Sequence, residues 1–145
     1  MRNFFIFLIV LFLKFSIASS QTLQWAKQFG GAQPDAALSN AIDFTGNIYI
    51  TGYTDTEIFI NKVDSNGNTL WSKIIGGPGV DESFHITTDT ICNVYICGSF
   101  SDSVDFDPGP DTCMLISHGY DAFLLKLDSA GNFIWIRQLG GDKSI

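Results

Sequence analysis

Short apolar runs punctuated by Gly, Asn and Asp occupy this chain almost from end to end. Residues 37–44, 48–53, 58–63 and 69–75 are each dominated by β-branched and aromatic residues, which predicts four consecutive strands. No stretch after the first twenty residues shows a helical period with caps. The strands are apolar on both faces. Phe123, Leu125 and Leu127 alternate with Leu124 and the long stem of Lys126, as expected when small sheets stack face to face.

The pattern is also periodic. Trp25-Ala26-Lys27-Gln28-Phe29-Gly30-Gly31 returns as Trp71-Ser72-Lys73-Ile74-Ile75-Gly76-Gly77, and again as Trp135-Ile136-Arg137-Gln138-Leu139-Gly140-Gly141. Trp25 and Trp71 are 46 residues apart, and Asn47-Ile48-Tyr49-Ile50-Thr51-Gly52 recurs in that register as Asn93-Val94-Tyr95-Ile96-Cys97-Gly98. Trp71 and Trp135 are 64 apart, so the second copy holds 18 extra residues, which fall within an insertion spanning Ser99 to Ala122. Internal repetition of this kind means one supersecondary unit copied along the chain.

The turns repeat with the strands. Asp43-Phe44-Thr45-Gly46-Asn47, Asp64-Ser65-Asn66-Gly67-Asn68 and Asp128-Ser129-Ala130-Gly131-Asn132 share Asp-x-x-Gly-Asn. The Asp accepts backbone amides and the Gly takes positive φ, which predicts a type I turn closing a G1-bulge hairpin. Asp89-Thr90-Ile91-Cys92-Asn93 puts Cys in the Gly slot. If the turn keeps its shape, Cys92 sits in the left-handed region at a cost of about 1 kcal/mol.

A four-stranded unit of this length falls in the range of a β-propeller blade. The Trp-x-Lys-x-x-Gly-Gly phrase, Gly46–Gly52, Phe123–Asn132 and Val104-Asp105-Phe106-Asp107-Pro108-Gly109-Pro110 together resemble the SBBP-type β-propeller repeat of secreted bacterial proteins. The resemblance covers essentially all the chain after its first twenty residues. It implies a propeller on an exported protein, with no shared catalytic residues. The expected fold is therefore all-β: a blade at about residues 35–77, a second at about 81–141 carrying the insertion 99–122, and an orphan strand, Gln24–Phe29, from a blade the chain lacks. A closed propeller needs about four blades, so a fragment of a larger propeller is expected.

Composition refines this picture at the N-terminus. Arg2, the apolar run Phe4 to Leu13, Lys14 and the small residues Ser16-Ile17-Ala18-Ser19-Ser20 predict a secretory signal peptide over residues 1–20, too short to span a bilayer. Losing it takes the net charge from −7 to −9, which argues against nucleic acid as a partner. Residues 21–145 are expected to be secreted or on the cell surface, without a membrane span. Of Cys92, Cys97 and Cys113, Cys97 reads either as a small buried residue or as half of a bridge to Cys113.

The insertion holds the one concentration of candidate chemistry. Asp105, Asp107 and Asp111 alternate through Asp-Phe-Asp-Pro-Gly-Pro-Asp. Such carboxylates either surround a calcium ion or cap the turns of a surface loop stiffened by proline. His85 reads as a packed or rim residue and His118 lies in the insertion; neither joins a visible Ser or Cys nucleophile. Asp81 and Glu82 form an acidic pair that glycoside hydrolysis could use, or that is simply solvated. The three Trp are sugar-stacking platforms or, given their fixed place in each copy, packing anchors. The expected function is a non-enzymatic, exported structural or binding module with an unidentified protein or glycan ligand and no cofactor beyond calcium. The alternative is part of a carbohydrate-active enzyme whose site is completed by further blades.

Overall fold

The computed structural model of the chain describes residues 23–140; the expected leader, residues 1–20, lies outside the described residues. Two four-stranded antiparallel sheets follow one another along the chain. The first is β1 (Asp35–Ile42), β2 (Ile48–Thr54), β3 (Glu57–Val63) and β4 (Thr69–Ile75). The second is β5 (Glu82–Thr88), β6 (Val94–Asp105), β7 (Met114–Leu127) and β8 (Phe133–Leu139). Each sheet is a meander in sequence order, so each is one blade. β5 packs against β1 and β2, and the sheets meet face to face.

The core lies between them. Tyr49, Ile58 and Ile60 from the first blade meet Val94, Ile96, Phe123, Leu125 and Leu127 from the second, all 0–1% exposed. Phe123, Leu125 and Leu127 project from alternate positions of β7, as a period-2 strand requires. Leu124 and Lys126 point to the opposite, partly exposed face of the second blade.

The bulges recur as well. The β1–β2 ladder slips between Ala37 and Ser39, and β5–β6 slips at the corresponding place between Ser83 and His85. The extra residue in each, Leu38 or Phe84, is 46% exposed. A bulge leaves one residue out of the ladder and turns its side chain away.

Three expectations change. The insertion is a loop only at its tip, residues 106–113, where Asp105 and Asp107 accept turn amides as the loop reading expects. It lengthens β6 and β7 into one hairpin, with Ser103, Val104 and Asp105 paired to Ile116, Leu115 and Met114. Its apolar residues drive this: Phe100, Val104 and Phe106 are each 0% exposed. Phe106 stands edge-on to Phe100 at 5.1 Å and tilted against Phe123 at 4.9 Å. The tip closes with the Phe106 amide donating to the Cys113 carbonyl.

The expected orphan strand Gln24–Phe29 has no strand conformation. It lies along the first blade and is held by side chains instead, because no neighbouring edge among the described residues offers it a ladder.

Both readings of Cys97 give way. Cys97 is exposed, and all three cysteines are free thiols. Cys97 pairs with Leu124, whereas Cys113 lies beyond the Asp105–Met114 pair at the far end of the hairpin. The strand between these levels spans roughly 26 Å at ~3.3 Å per residue, far beyond the ~7 Å Cα limit of a disulfide.

Candidate functional site

Each Asp-x-x-Gly-Asn turn is built the same way. In the turn at Asp64, Oδ1 accepts the amides of Asn66 and Asn68, and Oδ2 accepts the Asn68 side chain. The Gly67 amide donates to the Asp64 carbonyl. Asp43, Asp89 and Asp128 repeat this set. Gly46, Gly67 and Gly131 have φ of 86°, 84° and 80°, and Cys92 takes the same slot at 63°. The left-handed Cys is therefore real, and its strain is held by a turn that the other three copies make with Gly.

Hydrogen bonds from the turn set the acidity of these aspartates. Burial raises the Asp43 carboxyl, but hydrogen bonds from Thr45 and Asn47 outweigh it and hold it far below the usual range. At Asp64 the Asn68 side chain and amide lead the lowering. At Asp89 and Asp128 burial again pushes upward, and the turn hydrogen bonds overcome it. A carboxyl lowered in the folded state stabilises the fold above its unfolded pKa, about 3.9, and that contribution is lost as pH falls through the folded value. Asp81 opposes the trend, because burial raises it. The urea midpoint should therefore be flat from pH 7 to about 5 and fall below about pH 4. A midpoint rising steadily on acidification would contradict the turn carboxylates.

Above the turns sits a polar node that occurs once per blade. In the first blade, Tyr49 Oη donates to Asp43 Oδ2 at 3.1 Å. Lys62 Nζ lies 4.0 Å from the same oxygen and 4.8 Å above the Tyr49 ring. Trp71 meets Tyr49 edge-on at 6.0 Å. In the second blade, Tyr95, Asp89, Lys126 and Trp135 reproduce the arrangement at 3.2, 3.9, 4.8 and 6.2 Å. Burial pushes the Tyr49 hydroxyl up, with the Asp43 hydrogen bond and charge adding to it.

The node of the first blade grips the second blade. Trp71 Nε1 and Lys62 Nζ both donate to the Ser129 carbonyl, at 3.1 and 3.0 Å. The indole lies over Gly131, where an added Cβ would come within 3.2 Å of Trp71. The N-terminal segment grips the first blade in the same way. Trp25 Nε1 donates to the Ser65 carbonyl at 2.9 Å, and its ring covers Gly67. Lys27 Nζ adds donations to the Gly67 carbonyl and Thr69 Oγ1. Trp25–Phe29 thus takes the place of an outer blade strand, and a cleft of about 330 Å³ opens between it and β1–β2, lined in part by Leu38, Ile48 and Ile50. Trp25 and Trp71 are packing anchors for the next turn.

The remaining candidates are placed differently. Asp105 Oδ1 accepts the amides of Asp107 and Cys113, and Asp107 Oδ1 accepts that of Gly109. Asp111 is exposed on the tip. Among the described residues, no three His, Cys, Asp or Glu side chains gather as a metal group. Asp81 is 0% exposed and accepts the amides of Gly77 and Ser101, tying the interblade linker to the insertion. Glu82 begins β5 and is half-buried. His85 and His118 are exposed at separate places, on β5 and β7. A buried hydroxyl pair between the blades has no signal in the sequence. Thr51 Oγ1 meets Ser83 Oγ, and Ser83 Oγ donates to the Gly52 carbonyl across the interface.

Residues 24–60 match the family model described as SBBP, beta-propeller repeat. An uncharacterised WD repeat-containing protein of Acanthamoeba polyphaga mimivirus is 33% identical over 102 residues, which is 67% of this chain and 7% of the viral protein. The chain thus spans a small part of that relative's length. The matched region runs from the Trp25 phrase through β1 and β2 into β3, and the same architecture recurs in the second sheet; the chain belongs to the SBBP β-propeller repeat family.

Proposed function

We propose that this chain is a structural and ligand-binding module of an exported β-propeller and performs no catalysis of its own. One observation carries the reading. The Trp, Tyr, Lys and Asp of the first blade's node are engaged within the blade or on the next one, so the repeat uses its reactive side chains as joints. The likeness to a WD repeat-containing protein supports a repeat scaffold, and the sequence of residues 1–20 supports export. A protein or glycan is the expected ligand class.

Two measurements test this reading. Fused to a reporter that is active only after export, residues 1–20 should give signal, and the mature protein should begin near Gln21; a silent reporter with an uncleaved leader overturns export. Incubated with glycan and peptide panels, the chain and any longer protein containing it should show no turnover. Turnover abolished by Asp81→Asn or Glu82→Gln would replace this reading with that of a carbohydrate-active enzyme completed by further blades.

A further inference from the structure

The four Asp-led turns differ at the residue before the left-handed position. It is Thr45, Ile91 and Ala130 in three of them and Asn66 in the fourth, and Asn66-Gly67 is the only Asn-Gly step in the chain. Glycine has no side chain to shield its amide nitrogen, and the side-chain carbonyl carbon of a preceding asparagine lies within one short ring of that nitrogen. Asn66 is exposed, as are Thr45, Ile91 and Ala130. Ala130 belongs to the turn that Trp71 of the first blade covers, so this exposure is a property of the turn and not of a free face.

The folded turn keeps the two groups apart. The Gly67 amide donates to the Asp64 carbonyl, and the Asn66 amide donates to Asp64 Oδ1. The joint holds this geometry from outside. Trp25 Nε1 donates to the Ser65 carbonyl at 2.9 Å and its ring lies over Gly67. Lys27 Nζ donates to the Gly67 carbonyl at 3.0 Å and to Thr69 Oγ1. The Gly67 nitrogen can swing towards the Asn66 side chain only when its bond to Asp64 breaks, a movement that the indole over Gly67 resists.

We propose that Asn66 is a self-modification site, at which the Gly67 nitrogen displaces the Asn66 side-chain amide, and that Trp25 and Lys27 set the rate by holding the turn closed. The Gly67 nitrogen gives its proton to water and bonds to Asn66 Cγ. The Cγ–Nδ2 bond breaks, and ammonia leaves after taking up a proton from water, giving a cyclic imide. Water then opens the imide. Breaking the new N–Cγ bond leaves an ordinary aspartate. Breaking the bond from the Gly67 nitrogen to the Asn66 main-chain carbonyl carbon leaves an isoaspartate, with the chain running through Cβ and Cγ. Nothing is oxidised or reduced. The isoaspartate adds a methylene to the main chain inside the turn and a carboxylate close to Asp64. Ser65 and Gly67 then lose the spacing that Trp25 and Lys27 grip, so the reaction releases residues 24–29 and does not reverse.

The chain, kept folded at neutral pH and followed by peptide mass mapping, should exchange –NH2 for –OH at Asn66. It should do so far more slowly at Asn47, Asn68, Asn93 and Asn132, which precede Ile, Thr, Val and Phe. Trp25→Phe, which keeps a ring and loses the donor, should speed the reaction about two- to tenfold, the rise in open turn for one lost hydrogen bond. Lys27→Met should act in the same direction. Trp71→Phe, the same change at the other joint, should leave the rate unchanged, which separates local opening from general loosening. Asn66→Ala, which copies Ala130, should abolish the reaction and keep the fold. Trypsin should cut after Lys27 faster in aged chain than in fresh, and Asn66→Ala should remove that difference. An Asn66 that stays intact in the folded chain overturns the proposal. So does a rate that Trp25→Phe leaves unchanged or that Trp71→Phe raises as much, and so does equal cutting of aged and fresh chain. None of these failures touches the module reading, which is tested by export and by the absence of turnover.

Discussion

Phe106→Ala is expected to lower the unfolding free energy by about 3–5 kcal/mol, the range for deleting a fully buried aromatic ring. Phe106 belongs to the insertion and has no counterpart in the first blade. It is nevertheless 0% exposed and packs against Phe100 and Phe123 within the buried core cluster. Removing it leaves a cavity lined by two other rings and by Val104, and β strands on either side cannot close over a gap of that size without shifting their ladders. Urea unfolding gives the number directly. Were the insertion a solvated loop, as its Asp, Pro and Gly content invites one to read it, the change would fall within about 0.5 kcal/mol. Tyr120→Ala on the same hairpin, 68% exposed, serves as the control and should stay within that limit.

Asp43→Ala should cost a comparable amount, about 3–5 kcal/mol, because it leaves a buried cation without its counter-charge. The Asp43 side chain is 1% exposed and Lys62 is 9% exposed. Without the carboxylate, Lys62 Nζ keeps the Ser129 carbonyl and the Tyr49 ring but no anion, Tyr49 Oη loses its acceptor, and the turn amides of Thr45 and Asn47 lose theirs. The matching change Asp128→Ala removes the same turn hydrogen bonds from a more exposed turn. It should cost only about 1 kcal/mol. Combining Lys62→Met with Asp43→Asn should recover much of the loss, since both charges then leave the interface together. Equal costs for Asp43→Ala and Asp128→Ala would mean that Asp43 acts only as a turn former.

The parts of this molecule that are legible in its sequence are those decided within a few residues. The Asp-x-x-Gly-Asn turns are local chemistry, so their shape follows from their letters, down to the left-handed Cys92. The eight strands follow from β-branched runs between those turns. What the sequence hides depends on neighbours from other strands. Phe106 sits between two aspartates and close to Pro108, and only the approach of Phe100 and Phe123 makes it a core residue. Cys97 occupies a position that is buried in the first blade and exposed in the second, a difference set by whether another sheet lies on top. Gln24–Phe29 has the letters of a strand, but a strand also needs an edge to pair with. The node itself is hidden for a related reason. Asp43, Tyr49, Lys62 and Trp71 lie on four different segments, and only the antiparallel meander brings them to one face. The recurrence of Asp, Tyr, Lys and Trp in both copies is the signal that could reveal it.

The grip of one blade on the next ends on a peptide oxygen, that of Ser129 or Ser65, rather than on a side chain. Every residue type supplies that oxygen, so the letter at this position is free to drift while the joint survives, provided that the turn keeps its shape. A blade copied or lost as a whole unit would then meet a fitting neighbour at once, with no matching change required on the other side. Lineages carrying this repeat could lengthen or shorten their arrays by unequal exchange, and natural variation should accumulate at the serine faster than at the Asp and Gly that flank it.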